Sequence, residues 1–250
     1  MTPLSTEGRT KEVVAVNLGL TDYKTTWDLQ RRIADARTKE LIPDVLLLNE
    51  HRPVYTFGKS SDEDHLLARE SDLKRDGVDV YRVDRGGGVT FHGPGQLVGY
   101  PVLGLGDSRP DIHRYLRDLE EVIIRTLAAF GVESRRDESF TGVWTGGDKI
   151  AAIGIRVVRW VTMHGFALNV NTDLSHFERI IPCGIFHKGV SSLERLLGHP
   201  VPLEDVAEET AEQFGCVFGR RVTTVGKEEF FYLMDHLPLA RTECLQPENQ

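Results

Sequence analysis

The sequence is poor in cysteine. Its 250 residues hold three, Cys183, Cys216 and Cys244. An odd, widely spaced set is not a disulfide framework, so a reducing cytosol is expected. Long apolar runs are missing too, and nothing approaches the ~20 residues of a membrane span. The opening stretch, Met1 to Glu12, has no apolar signal-peptide core. A cytoplasmic location and no membrane partner are therefore expected. Positive charge is short as well. The net charge of −8 argues against nucleic acid as the main partner, while leaving room for a local basic patch that meets an acidic one. Paired metal-ligand spacing is also lacking. Cys183 and His187 stand four apart with no second pair, so no metal is expected. Otherwise the hydrophobic fraction of 40% and charged fraction of 27% are those of a globular chain, long enough to bury a core without staples.

What the sequence has in concentrated form is glycine. The stretch Arg85 to Pro101 reads RGGGVTFHGPGQLVGYP, and five of the eleven residues from Arg85 to Gly95 are glycine. A plain turn needs one or two positions without a Cβ; more than that points to close approach of another molecule. Val89, Thr90 and Phe91 between them form strands readily, and His92 follows. The simplest alternative is a pair of hairpin turns in a β-rich domain.

Around this stretch the chain alternates. Val13–Leu20, Val45–Leu48, Val54–Phe57, Val78–Val83, Phe140–Trp144, Ile150–Val158 and Val161–Val170 read as strands. Helices are expected over 22–39, 62–76, 201–214 and 228–237. The strongest spans Ile112–Phe130, where Tyr115, Leu119, Val122, Ile123 and Leu127 recur at three- and four-residue steps. Residues 171–178 read as polar loop. With no repeat and no low-complexity linker, one α+β domain over residues 1–240 is expected, followed by a tail at 241–250.

Three residue types could carry chemistry. Cys183 sits between Pro182 and Gly184, and a thiolate is a strong nucleophile when its pKa is lowered. A lone cysteine is, however, more often a small buried residue, and Cys216 fits that description better. Lys149 stands at a hairpin mouth before the uncharged run Ile150 to Gly154. Beside a thiol its ammonium would favour thiolate; as a free amine it could accept a proton. His92 and His164 lie among glycines on strands, where either could orient a thiol or a carbonyl, although a satisfied core histidine is the commoner case.

Several motifs, in register, make the chain resemble one family. They are Arg85 to Pro101, Gly147-Asp148-Lys149-Ile150-Ala151, His164 to Val170, Ile181-Pro182-Cys183-Gly184-Ile185 and Glu50 to Gly58. Together, from about Val13 to about Leu237, they resemble the lipoyl(octanoyl) transferases. Phe91, Gly88 and Arg52 stand where that family often has tyrosine, a larger residue and proline. The resemblance implies a mixed β-sheet flanked by helices, like the catalytic domains of biotin and lipoate protein ligases. It implies transfer of octanoyl from acyl carrier protein to a lysine of lipoyl domains, those of 2-oxoacid dehydrogenase complexes and the glycine cleavage H protein, without a cofactor. The residue matching the family's acyl-carrying cysteine is Cys183, and its activating lysine matches Lys149. The acyl-contacting segments match Arg85, Gly86, Gly87, Gly88, Val89, Thr90, Phe91 and His92; Ala152, Ile153 and Gly154; and Gly165, Phe166 and Ala167, with His164 in support.

The residue chemistry is compatible with that. Val89, Phe91, Ile153 and Phe166 are expected to wall an apolar slot. Backbone N–H groups near Cys183 and the glycine loop are expected to hold an oxyanion. Arg82, Arg85, Arg156 and Arg159 could form a basic rim for an acidic carrier. Two other functions stay open at this point: an ATP-dependent ligase, which would need no thiol, and a module that only binds the carrier or lipoyl domain.

Overall fold

A computed structural model of the chain describes residues 12–106, 111–181 and 189–236. The expected tail, Cys244, and the stretch holding Cys183 and His187 lie outside the described residues. Strand β1 (Glu12–Thr21) is followed by helix α1 (Tyr23–Thr38), β2 (Asp44–His51) and β3 (Val54–Phe57). A short α2 (Glu70–Arg75) leads to β4 (Asp79–Arg82), β5 (Val89–His92) and β6 (Gln96–Val102). Helix α3 (Ile112–Ala129) precedes β7 (Arg135–Arg136), β8 (Val143–Thr145), β9 (Asp148–Val158) and β10 (Val161–Asn169). Next come α4 (Leu193–Leu197), α5 (Leu203–Phe218), β11 (Arg221–Thr224) and α6 (Lys227–Asp235).

Among the described residues, eight strands make one mixed sheet in the order β11-β1-β2-β6-β10-β9-β8-β7, and β4-β3-β5 make a second. Strand β1 runs parallel to β11 and β2, and the large sheet is antiparallel from β2 onward. The expected class, a mixed sheet flanked by helices, is therefore observed.

Alternation along β2 sorts the core. Leu46 and Leu48 join Leu97 and Leu168 beneath the apolar faces of α3 (Leu119, Ile123) and α5 (Val206, Phe214). Val45 and Leu47 join Val98 and Val102 on the opposite face, under Leu29 and Ile33 of α1 and Phe230 of α6. Helix α3 starts where Asp111 accepts the backbone N–H groups of His113 and Arg114, at 2.9 and 3.0 Å.

Some elements differ from expectation. Residues 62–76 do not form one helix: a 3-10 turn at Glu63–His65 is separated from α2. Leu66 bridges Ile180, and Leu67 N–H donates to the Arg179 carbonyl at 2.9 Å, so the intervening backbone is used sideways. The loop expected over 171–178 contains a 3-10 helix, Leu174–Arg179, whose first turn is capped by Asp173. The strand expected over 140–144 is only β8. Helix α5 runs four residues past Phe214, and Cys216, expected to be buried, is exposed on it.

Candidate active site

The site starts from glycines that let three strands and a loop come together. Gly154 of β9 faces Gly165 of β10, and Phe166 pairs with Gly99 of β6. A Cβ on Gly165 would sit 2.2 Å from the Gly99 carbonyl oxygen. The glycine loop lies across this floor, with Gly86 N–H donating to the Ile155 carbonyl at 2.9 Å. Between loop and floor a cavity of about 340 Å³ remains, within the range of small-molecule sites.

The cavity wall includes Arg85, Gly86, Gly87, Gly88, Val89, Thr90 and His92 from the loop and β5, Ala152, Ile153 and Gly154 from β9, and His164, Gly165, Phe166 and Ala167 from β10. Lys149 lies on the same wall. Phe91 does not. It opposes Tyr55 in the small sheet and stacks on the His176 ring with centroids 4.2 Å apart. Of the four residues expected to wall a slot, Val89, Ile153 and Phe166 line this cavity, and Phe91 is core of the second sheet. Tyr23, Leu116 and Trp144 also line the cavity, three residues that the sequence reading does not single out. Tyr23 and Leu116 come from helices far away in sequence, with no local mark, whereas Trp144 stands five positions before Lys149 and offers a signal.

Lys149 opens β9 after the Gly146-Gly147 turn. Its Nζ donates to the Thr141 carbonyl at 3.3 Å and lies 4.8 Å from the centroid of the Trp144 ring. Both are contacts that an ammonium group makes. The backbone beside it is stitched to the segment that follows residue 188. Lys149 N–H donates to Gly189 O, and Ser191 N–H donates to Lys149 O, each at 3.0 Å. Gly189 N–H donates to Asp148 Oδ1 at 3.2 Å. Cys183 stands six positions before Gly189 in the sequence.

Behind the loop, a hydrogen-bonded chain of buried polar side chains runs from Arg85 through His92 to Asn169. Arg85 is buried and donates to Thr56 O and Oγ1 at 2.7 and 2.9 Å. That leaves the Thr56 hydroxyl to donate to His92 Nε2 at 3.4 Å, while His92 Nδ1–H donates to Gln96 Oε1 at 2.8 Å. Gln96 Nε2 donates to Asn169 Oδ1, and Asn169 Nδ2 to the Ser191 carbonyl. The hydrogen-bond directions fix the His92 tautomer, and burial holds it well below its usual pKa. The ring is thus a neutral strut rather than an acid or base.

His164 takes a left-handed backbone, φ +56°, its N–H donating to Gln30 Oε1 at 2.8 Å. Burial first, then the nearby guanidiniums of Arg85, Arg156 and Arg31, push its imidazole down to about 3. The neutral ring donates from Nε2 to Asp84 Oδ1 at 2.7 Å, a carboxylate contact that acts the other way without outweighing burial.

Of the four arginines expected at a basic rim, Arg85 and Arg159 do not join one. Arg85 is an internal brace. Arg156 is ion-paired with Asp84, and Arg82 lies over Phe57, 5.2 Å from its ring. Arg159 sits in the β9–β10 turn, on a separate cleft with Trp160. Among the described residues no group of three His, Cys, Asp or Glu side chains could hold a metal ion, and no helix is long and apolar enough to cross a membrane.

Residues 22–215 match the family of the lipoyl protein ligase A/B catalytic domain. The chain is 49% identical over 219 residues to an octanoyltransferase of Caldicellulosiruptor bescii, an alignment covering 87% of this chain and 96% of that one. It is 54% identical over 203 residues to an octanoyltransferase of Rubrobacter xylanophilus, covering 80% and 91%. Among solved structures, a lipoate-protein ligase A bound with ATP superposes with a TM-score of 0.70 at 20% identity, over 90% of this chain and 94% of that one. A bipartite lipoate protein ligase from Thermoplasma acidophilum, studied with its E2 lipoyl domain, gives 0.69 at 19% identity over 91% and 92%. At such identities these two structures speak to the fold.

Proposed function

The chain belongs to the lipoyl protein ligase A/B catalytic domain family, as an octanoyltransferase of lipoate biosynthesis, and we propose that it acts through an acyl thioester on Cys183 served by Lys149. The donor in this reading is octanoyl-acyl carrier protein, and the acceptors are lysines of lipoyl domains, including those of 2-oxoacid dehydrogenase complexes and the H protein. A lipoyl domain is the partner of the Thermoplasma ligase, which supports that class of acceptor.

The supporting observation is the placement of the Lys149 amine on the wall of a glycine-lined, largely apolar cavity. The slot holds the eight-carbon chain against Val89, Ile153 and Phe166. Lys149 as ammonium stabilises the Cys183 thiolate. The thiolate attacks the donor carbonyl, a new C–S bond forms, and the carrier's C–S bond breaks. The departing carrier thiolate takes the Lys149 proton. Because one thioester replaces another, this step needs no ATP. The neutral Lys149 then accepts a proton from the acceptor lysine as that amine attacks the acyl-Cys183 carbonyl. The amide forms, Cys183 leaves as thiolate, and the ion pair is restored.

The test is intact mass after mixing with octanoyl-carrier protein. The wild type gains one octanoyl group and passes it to a lipoyl domain. Cys183→Ala gains none, and Lys149→Ala gains it at least ~100-fold more slowly, the scale of a lost general acid–base group. Full transfer by Cys183→Ala refutes the thioester.

A further inference from the structure

Of the three acidic side chains of α3, Asp118 and Glu121 are partly exposed and Glu120 is buried at 1% exposure. Nothing in the mechanism above uses Glu120. Its Oε2 takes Arg117 at 2.8 Å and Arg136 at 3.3 Å. Its Oε1 accepts the Gly142 N–H at 3.0 Å. Gly142 N–H and Thr141 C=O are the two ends of one planar peptide unit, and Thr141 O is the acceptor of Lys149 Nζ. One peptide therefore stands between a buried carboxylate and the amine on the cavity wall. Its position is specified: Gly142 has φ +129°, and a Cβ there would lie 2.6 Å from Ala151 O.

A carboxylate on the N–H end of a peptide polarises it, and the carbonyl at the other end becomes a stronger acceptor. We propose that Glu120 is a positioning residue for Lys149, which holds the amine at the cavity wall and favours its protonated form through the Thr141–Gly142 peptide. The inference rests on the reading of Lys149 as counter-ion and proton carrier. Among the described residues, other charged groups at this corner have partners of their own, including Asp118 with Arg114. Arg136 bridges Glu120 and Glu121, Arg125 pairs with Glu121, Asp137 accepts Ser139 N–H, and Asp148 beside Lys149 accepts Gly189 N–H.

The test titrates Lys149 directly. Intact protein is labelled with an amine-reactive reagent across a pH series, and the Lys149 peptide is read by mass. Glu120→Gln keeps an oxygen for Gly142 N–H and removes the charge. Its Lys149 midpoint moves to lower pH, and labelling at a fixed pH below the midpoint rises severalfold. Glu120→Asp returns the midpoint towards wild type, and Arg125→Ala, which removes an exposed charge on the same helix, leaves it in place. A Glu120→Gln midpoint equal to wild type, or an equal shift in Arg125→Ala, overturns the proposal. Should Glu120→Gln fail to fold, the wild type decides by NMR. The Gly142 amide nitrogen shift must follow the Lys149 titration and stop doing so in Lys149→Met; an amide silent through that titration also overturns it. Neither readout needs Cys183 or an acyl donor, so failure here is distinct from failure of the thioester reading.

Discussion

At the scale of single residues, two glycines of the cavity have different duties. A methyl on Gly165 would meet Gly99 O at 2.2 Å and Pro101 Cδ at 2.7 Å, so β10 and β6 would have to part. Overpacking of that kind costs about 1–3 kcal/mol, sometimes more. A methyl on Gly86 would meet nothing closer than Ile155 O at 3.7 Å. Gly165→Ala is therefore expected to lower Tm and abolish transfer together. Gly86→Ala is expected to keep its stability within about 0.5 kcal/mol while raising KM for the octanoyl donor, because the methyl narrows the slot. Thermal melts beside donor-dependence curves distinguish the two; equal loss of Tm in both variants would mean that the loop glycines serve packing alone.

At the scale of elements, helix α3 owes its start to Asp111, whose carboxylate takes two otherwise orphaned N–H groups. Asp111→Ala is expected to cost ~1 kcal/mol in urea unfolding and leave transfer unchanged, since the cap takes no part in the cavity wall. The same helix shows what a sequence can disclose. The stripe of Leu119, Ile123 and Leu127 is legible because helical periodicity depends on neighbours three and four apart. The glycine loop and the β9–β10 hairpin are legible for the same local reason. Other features depend on partners distant along the chain. Phe91 reads as a cavity residue from its own segment, and only Tyr55 and His176 beside it make it core; Arg85 reads as a rim cation, and only Thr56 makes it a brace. The tie between Glu120 and Gly142 spans 22 positions and leaves no mark in either segment. Short elements such as β7, β11 and α4 have too few residues for any period to show.

At the scale of the molecule, three buried histidines near the cavity are held neutral, and one of them, His92, sits in the hydrogen-bonded chain that joins the two sheets. Burial pushes His51 down to about 4 and His164 to about 3, and His92 falls well below its usual value. Tyr100 O–H donates to His51 Nε2 at 2.7 Å, a bond that an imidazolium could not accept. In the unfolded chain each ring titrates near 6.5. Above that pH both states are neutral and this part of the stability is complete. As pH falls below about 6.5, the unfolded chain binds protons that the native state refuses, so stability drops, by ~1.4 kcal/mol per pH unit for each histidine. For His51 the loss continues to about pH 4 and for His164 to about pH 3. Urea unfolding between pH 8 and pH 5 is expected to give a plateau down to about 6.5 and a steep decline below it, before the carboxylates begin to titrate. His51→Gln removes one ring from that balance, so its decline below pH 6.5 should be shallower even though its plateau is lower. A slope unchanged by that substitution would show that His51 takes up its proton in the native state as readily as in the unfolded chain, and that burial does not hold it neutral.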